Sequence, residues 1–185
     1  MSRFEYLSVL ISIVIALGMS EVTISWGRLI QNRKRVQFSW LHAFWSAFFV
    51  ILMVQFWWAF WNFRTVEYWS FAALFGVVLA AVTLVICALL LTPGRSYAEN
   101  IDLECLYYEQ ARPLFLLGAY LLVQLVLNDT LIFKMPFLHT ENLIRFLGAA
   151  FALALAWSPS KRLHTAFPIA SATLLAIFMF NTFML

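Results

Sequence analysis

Long apolar runs separated by short polar gaps organise this chain. A helix rises about 1.5 Å per residue, so about 20 apolar residues cross the roughly 30 Å hydrocarbon core of a bilayer. Six stretches approach that length, at about 4–30, 38–63, 70–91, 113–133, 137–157 and 165–185. The gaps carry the breakers. Gln31–Gln37 holds Arg33, Lys34 and Arg35, and a short turn holds Arg64 and Glu67. Thr92-Pro93-Gly94 ends the third run, because proline breaks the hydrogen-bond ladder and glycine suits a helix C-cap. Lys134-Met135-Pro136 and Ser158-Pro159-Ser160 end the fourth and fifth, and Pro113 and Pro168 fall in the first turns of the fourth and sixth.

One region is polar for longer. Arg95 to Arg112 carries Glu99, Asp102, Glu104 and Glu109, yet Ile101, Leu103, Leu106 and Tyr107 can line one helical face. The pattern predicts a helix over about 98–112, either interfacial or a cytoplasmic extension of the fourth span. The runs consume nearly the whole chain. The expected fold is all-α: a polytopic transmembrane helical bundle of about six spans, forming one domain over 1–185.

Composition sharpens this. The chain is 64% hydrophobic and 11% charged, against about 25% charged in soluble domains. Too little polar surface remains to cover a water-soluble globule, so the first partner is the lipid bilayer. The net charge of +3 belongs to the loops and implies no nucleic-acid partner. Arg3 precedes an apolar run, but Glu5 spoils a basic leader, so the first helix is expected to stay uncleaved. With the first gap cytoplasmic, that side holds eight cations: Arg28, Arg33, Lys34, Arg35, Arg95, Arg112, Lys161 and Arg162. The other side holds four, Arg3, Arg64, Lys134 and Arg145, which places both termini on the non-cytoplasmic side.

Candidate chemistry lies in the few polar groups at membrane depth. A carboxylate at the centre of a membrane helix costs roughly 2.5–3.5 kcal/mol on insertion scales. Glu21 is such a group, and Gly18, Glu21, Ser25 and Arg28 recur at helical spacing. His42 and Ser46 on the second span reach similar depth. Glu21, His42, Ser46 and Ser25 therefore form a candidate ion or proton site, with a Glu21–His42 contact expected. The competing reading is structural: a carboxylate cementing two helices. Gln55, Gln124, Asn128, Asp129 and Arg145 form a second, outer cluster. Low dielectric demands that a charge be paired, which predicts an Asp129–Arg145 ion pair with Glu141 one turn before the arginine. The same cluster is alternatively the mouth of a polar cavity. In VQFWWAFW, Trp61 and Trp58 suit an interfacial belt, while Trp57 and Phe56 beside Gln55 read as more interior. Trp57, Trp58 and Trp61 are also candidate contacts for a lipid headgroup or quinone.

Catalytic signatures are missing. The sequence has no phosphate-binding loop, HExxH, GxSxG or paired-aspartate helix, and His139 and His164 fall in expected loops. Cys87 and Cys105 have no metal-ligand spacing. No enzyme activity, metal or cofactor is expected.

The segments SVLISIVIALGMSEVTISWGRLI, RKRV, SWLHAFW, VQFWWAFW and DLECLYYEQARPLF together carry a resemblance. The chain resembles an uncharacterised family of small bacterial polytopic integral membrane proteins. The likeness spans most of the chain and implies a bacterial inner-membrane setting, with no activity attached. The expected function is a small homo-oligomeric channel- or transporter-like protein using Glu21. The alternative is a non-enzymatic accessory, sensor or lipid- or quinone-binding module, meeting a protein partner through the cytoplasmic segment Glu99 to Glu109.

Overall fold

The computed structural model describes residues 3–66, 68–94 and 100–183. Glu67, Arg95 and Glu99, which entered the reading of the loops, lie outside the described residues. The order of elements is α1 (Arg3–Gln31), a 3-10 turn (Arg33–Arg35), β1 (Val36–Gln37), α2 (Trp40–Ala59) running into a 3-10 helix (Phe60–Thr65), α3 (Phe71–Leu90), β2 (Ile101–Asp102), α4 (Leu103–Ile132), α5 (Thr140–Trp157) and α6 (Lys161–Phe183). The fold is all-α apart from one two-residue parallel bridge, in which Val36 pairs with Ile101 and Gln37 with Asp102.

Two compact units emerge, Met1–Gln110 and Ala111–Leu185. In the first, α1, α2 and α3 pack together. The packed stripe of α1 is Leu7, Ile11, Ile15, Gly18, Val22 and Ser25, at spacings of three and four that keep one face inward. Gly18 permits close approach to α3: a Cβ there would lie 2.6 and 2.9 Å from the methyl carbons of Val85. The Ser70 hydroxyl starts α3 by accepting from the Ala73 amide at 3.1 Å, as N-caps do. Phe4 stacks on Phe60 with ring centroids 5.4 Å apart, so the start of α1 meets the end of α2. In the second unit, α5 packs on α6, and Gly148 on α5 faces Leu122 on α4.

Five of the described helices are long and apolar enough to cross a membrane: Phe4–Gln31, Trp40–Thr65, Phe71–Leu90, Leu103–Ile132 and Lys161–Phe180. This is the architecture of a multi-pass membrane protein. The expected fifth span, 137–157, is not among them. Its helix begins at Thr140, because residues 136–139 form a turn closed by the His139 amide on the Pro136 carbonyl at 3.0 Å. Glu141, Asn142 and Arg145 occupy its opening turns. The apolar remainder, 146–157, spans only about 18 Å.

Two prolines sit differently from expectation. Pro113 lies inside α4 and starts no new helix. The segment expected at 98–112 therefore continues, from Leu103 onward, into the fourth span. Buried Leu103, Tyr107, Ala111, Leu114 and Phe115 form one stripe straight through the proline, so packing holds the helix where proline disfavours it. Pro168 lies inside α6, which begins at Lys161, ahead of the expected 165. The Ser160 carbonyl accepts from the Leu163 and His164 amides at 3.1 and 3.3 Å, which nucleates that earlier turn.

Candidate functional site

Glu21 lies on α1, about 6 Å from the middle of the helix toward its basic end. Its side chain is exposed, and among the described residues it has no hydrogen-bond or ion-pair partner. The geometry of α1 explains why. At about 100° per residue, Glu21 and Arg28 stand about 60° around the helix from Gly18 and Ser25. The four residues thus split, with Gly18 and Ser25 inside the packed stripe and Glu21 and Arg28 exposed at its margin. Ser25, one turn from Glu21, is 5% exposed, and its hydroxyl has no hydrogen-bond partner. Such a buried hydroxyl costs about 1–3 kcal/mol unless something satisfies it.

His42 does not meet Glu21. Its Nε2 donates to the backbone carbonyl of Leu91, 2.6 Å away, at the C-cap of α3. The last carbonyls of a helix have no internal donor, and a histidine is well suited to supply one. Ser46, one turn along α2, is committed as well: it accepts from the Trp26 indole at 2.7 Å. Both polar groups of α2 therefore tie helices together, and Glu21 and Ser25 stand apart from them.

The second unit holds an ion cluster. Arg145 Nη1 pairs with Asp129 Oδ2, joining α5 to α4 as the sequence predicts. Glu141 lies 3.9 Å from Nη2 of the same arginine. The Phe178 ring of α6 sits under the guanidinium, 5.3 Å from ring centroid to Cζ. Asn142, fully buried, accepts from Arg145 at 3.1 Å and donates to the Pro136 carbonyl at 3.2 Å. Sequence reasoning passed over Asn142; its signal was a polar residue three positions before an intramembrane arginine. Gln124 and Asn128 are buried one turn apart on α4. Gln55, grouped with them from sequence, belongs to α2 in the first unit and is half-buried.

Trp57, expected to be interior, is exposed, as are Trp58 and Trp61. Trp57 reaches back to donate to the Ser12 hydroxyl at 3.0 Å. The Arg64 guanidinium lies 4.7 Å over the Trp61 ring. Amphipathic rings with one polar attachment are what an interfacial belt requires. Half-buried Phe56 is nearer the interior than Trp57. His164, expected in a loop, is buried in α6, where its Nε2 donates to the Ser158 carbonyl at 3.1 Å. The sequence signal was Ser-Pro-Ser ahead of it, a helix start.

Cys87 is buried and Cys105 exposed, and both are free thiols. Among the described residues no group of His, Cys, Asp and Glu could hold a metal ion. The chain matches no family model, no curated protein and no solved structure.

Proposed function

We propose that this chain is a small bacterial inner-membrane protein that assembles with copies of itself into a channel- or transporter-like complex, with Glu21 as its ion or proton site. One observation carries the reading: an exposed carboxylate without a partner among the described residues, near the middle of a helix able to cross a bilayer. An ionised carboxylate facing acyl chains costs several kcal/mol, so a proton, a cation or another subunit must meet it. The buried, unsatisfied Ser25 hydroxyl one turn away supplies a second oxygen on the same helix. His42 and Ser46 hold the scaffold in this reading, since Leu91 and Trp26 already engage them. The distribution of Lys and Arg favours both termini outside the cytoplasm.

The test is flux into liposomes carrying the reconstituted protein and a pH- or cation-sensitive dye. Glu21→Gln should abolish flux, while Trp61→Phe should leave it intact. Flux unchanged in Glu21→Gln, or absent from the wild type, removes Glu21 from any transport role. A second reading draws on the exposed carboxylates Asp102, Glu104 and Glu109 at the start of α4. They offer an acidic face to a basic protein partner. Stoichiometric capture of one in mild detergent, lost in Glu104→Gln/Glu109→Gln, favours that accessory role.

A further inference from the structure

The 3-10 turn Arg33–Arg35 follows a helix long enough to cross the membrane, and it is held firmly. The Asn32 amide and its side-chain Nδ2 both donate to the Arg28 carbonyl, at 3.0 and 2.8 Å. The Arg35 amide donates to the Asn32 carbonyl at 2.8 Å. Arg33, Lys34 and Arg35 are all exposed, and among the described residues their side chains have no hydrogen-bond or ion-pair partner. A 3-10 helix turns 120° per residue, so the three cations fan outward in different directions. That arrangement suits a layer of charges better than one phosphate.

The nearest source of intramolecular neutralisation is set apart by the β1–β2 bridge. The two strands run parallel, so the cations precede the bridge on the Asn100 side. Asp102, Glu104 and Glu109 lie in or beyond it. Asp102 is occupied besides, its Oδ1 accepting from the Glu104 and Cys105 amides at 2.8 and 3.0 Å. Just past β1, Phe38 and Trp40 are 76% and 46% exposed. Aromatic rings beside a basic run at a membrane-helix end mark headgroup depth.

We propose that the turn Arg33–Arg35, flanked by Phe38 and Trp40, binds the anionic headgroups of membrane phospholipids as a layer. This surface is separate from Glu21 and stands whether or not the chain conducts ions. Anionic headgroups attract each juxtamembrane cation, and the attraction falls within a Debye length.

The full chain is reconstituted in phosphatidylcholine bilayers, and its boundary shell is read with spin-labelled phosphatidylglycerol and spin-labelled phosphatidylcholine. The wild type should prefer the anionic label about threefold or more at low salt, and the preference should shrink in 1 M salt. Arg33→Gln/Lys34→Gln/Arg35→Gln should lose most of it. Arg33→Lys/Arg35→Lys, which keeps the charge, should retain it, as should Arg64→Gln/Lys134→Gln at other loops. Equal association of the two labels with wild type overturns the proposal. So does a preference that survives the triple glutamine variant or 1 M salt. Saturable binding of soluble polyglutamate, with no lipid preference, would assign the turn to an acidic protein instead.

Discussion

His42 on α2 caps the C-terminus of α3 by donating to the Leu91 carbonyl, 2.6 Å away. The imidazole is 2% exposed, so water cannot substitute for it. His42→Ala should cost about 1–3 kcal/mol by leaving that carbonyl unsatisfied. Thermal unfolding in detergent reads the loss. Glu21→Gln should leave the cost of His42→Ala unchanged, because the two residues share no contact; a coupling above about 0.5 kcal/mol would contradict this geometry.

Arg145 serves two carboxylates and one amide, and this sets an order among variants. Arg145→Gln leaves Asp129 and Glu141 side by side with no cation, and should cost about 3 kcal/mol or more. Asp129→Asn/Arg145→Gln should be milder, because the double variant removes one of the stranded charges. Equilibrium denaturation of reconstituted protein ranks them. A double variant worse than Arg145→Gln alone would show that the pair is not the source of the penalty.

The approach of α1 to α3 turns on one hydrogen atom. Gly18→Ala would drive a methyl into the Val85 side chain and should destabilise by about 1–3 kcal/mol. Val85→Ala in the same chain should restore part of the loss. Gly27, on the same helix, has open space around its missing Cβ. Gly27→Ala should stabilise by up to about 1 kcal/mol through helix propensity. Opposite signs at the two glycines are the expected result.

Pro113 interrupts the hydrogen bond that would otherwise reach the Glu109 carbonyl within α4. Pro113→Ala restores a donor in a continuous helix and should raise stability, by up to about 3 kcal/mol. Were the proline the first residue of a separate helix, the substitution would be neutral or harmful. Melting temperature distinguishes the two.

Thiol labelling checks the packing cheaply. A water-soluble maleimide should modify Cys105 in the folded protein and leave Cys87 untouched. Unfolding should expose the second thiol. Rapid double labelling of the folded chain would contradict the burial of Cys87 in α3.

Apolar run length and the breakers between runs were enough to read five of the membrane-length helices, because both are local properties of the backbone and its solvent. The Asp129–Arg145 pair was legible for a related reason: two opposite charges at one depth on consecutive helices have few other partners. Azimuth was not legible. Depth brought Glu21 and His42 to one level, but a rotation of about 60° around α1 carried Glu21 to the margin. His42 took the end of α3, a carbonyl that no sequence pattern marks. Tertiary packing likewise carried α4 through Pro113, and strand pairing of only two residues set the basic turn apart from the acidic segment. Hydrophobicity along the chain decides which segments become helices; which way each helix faces is decided by its neighbours, since side-chain partners are chosen in three dimensions.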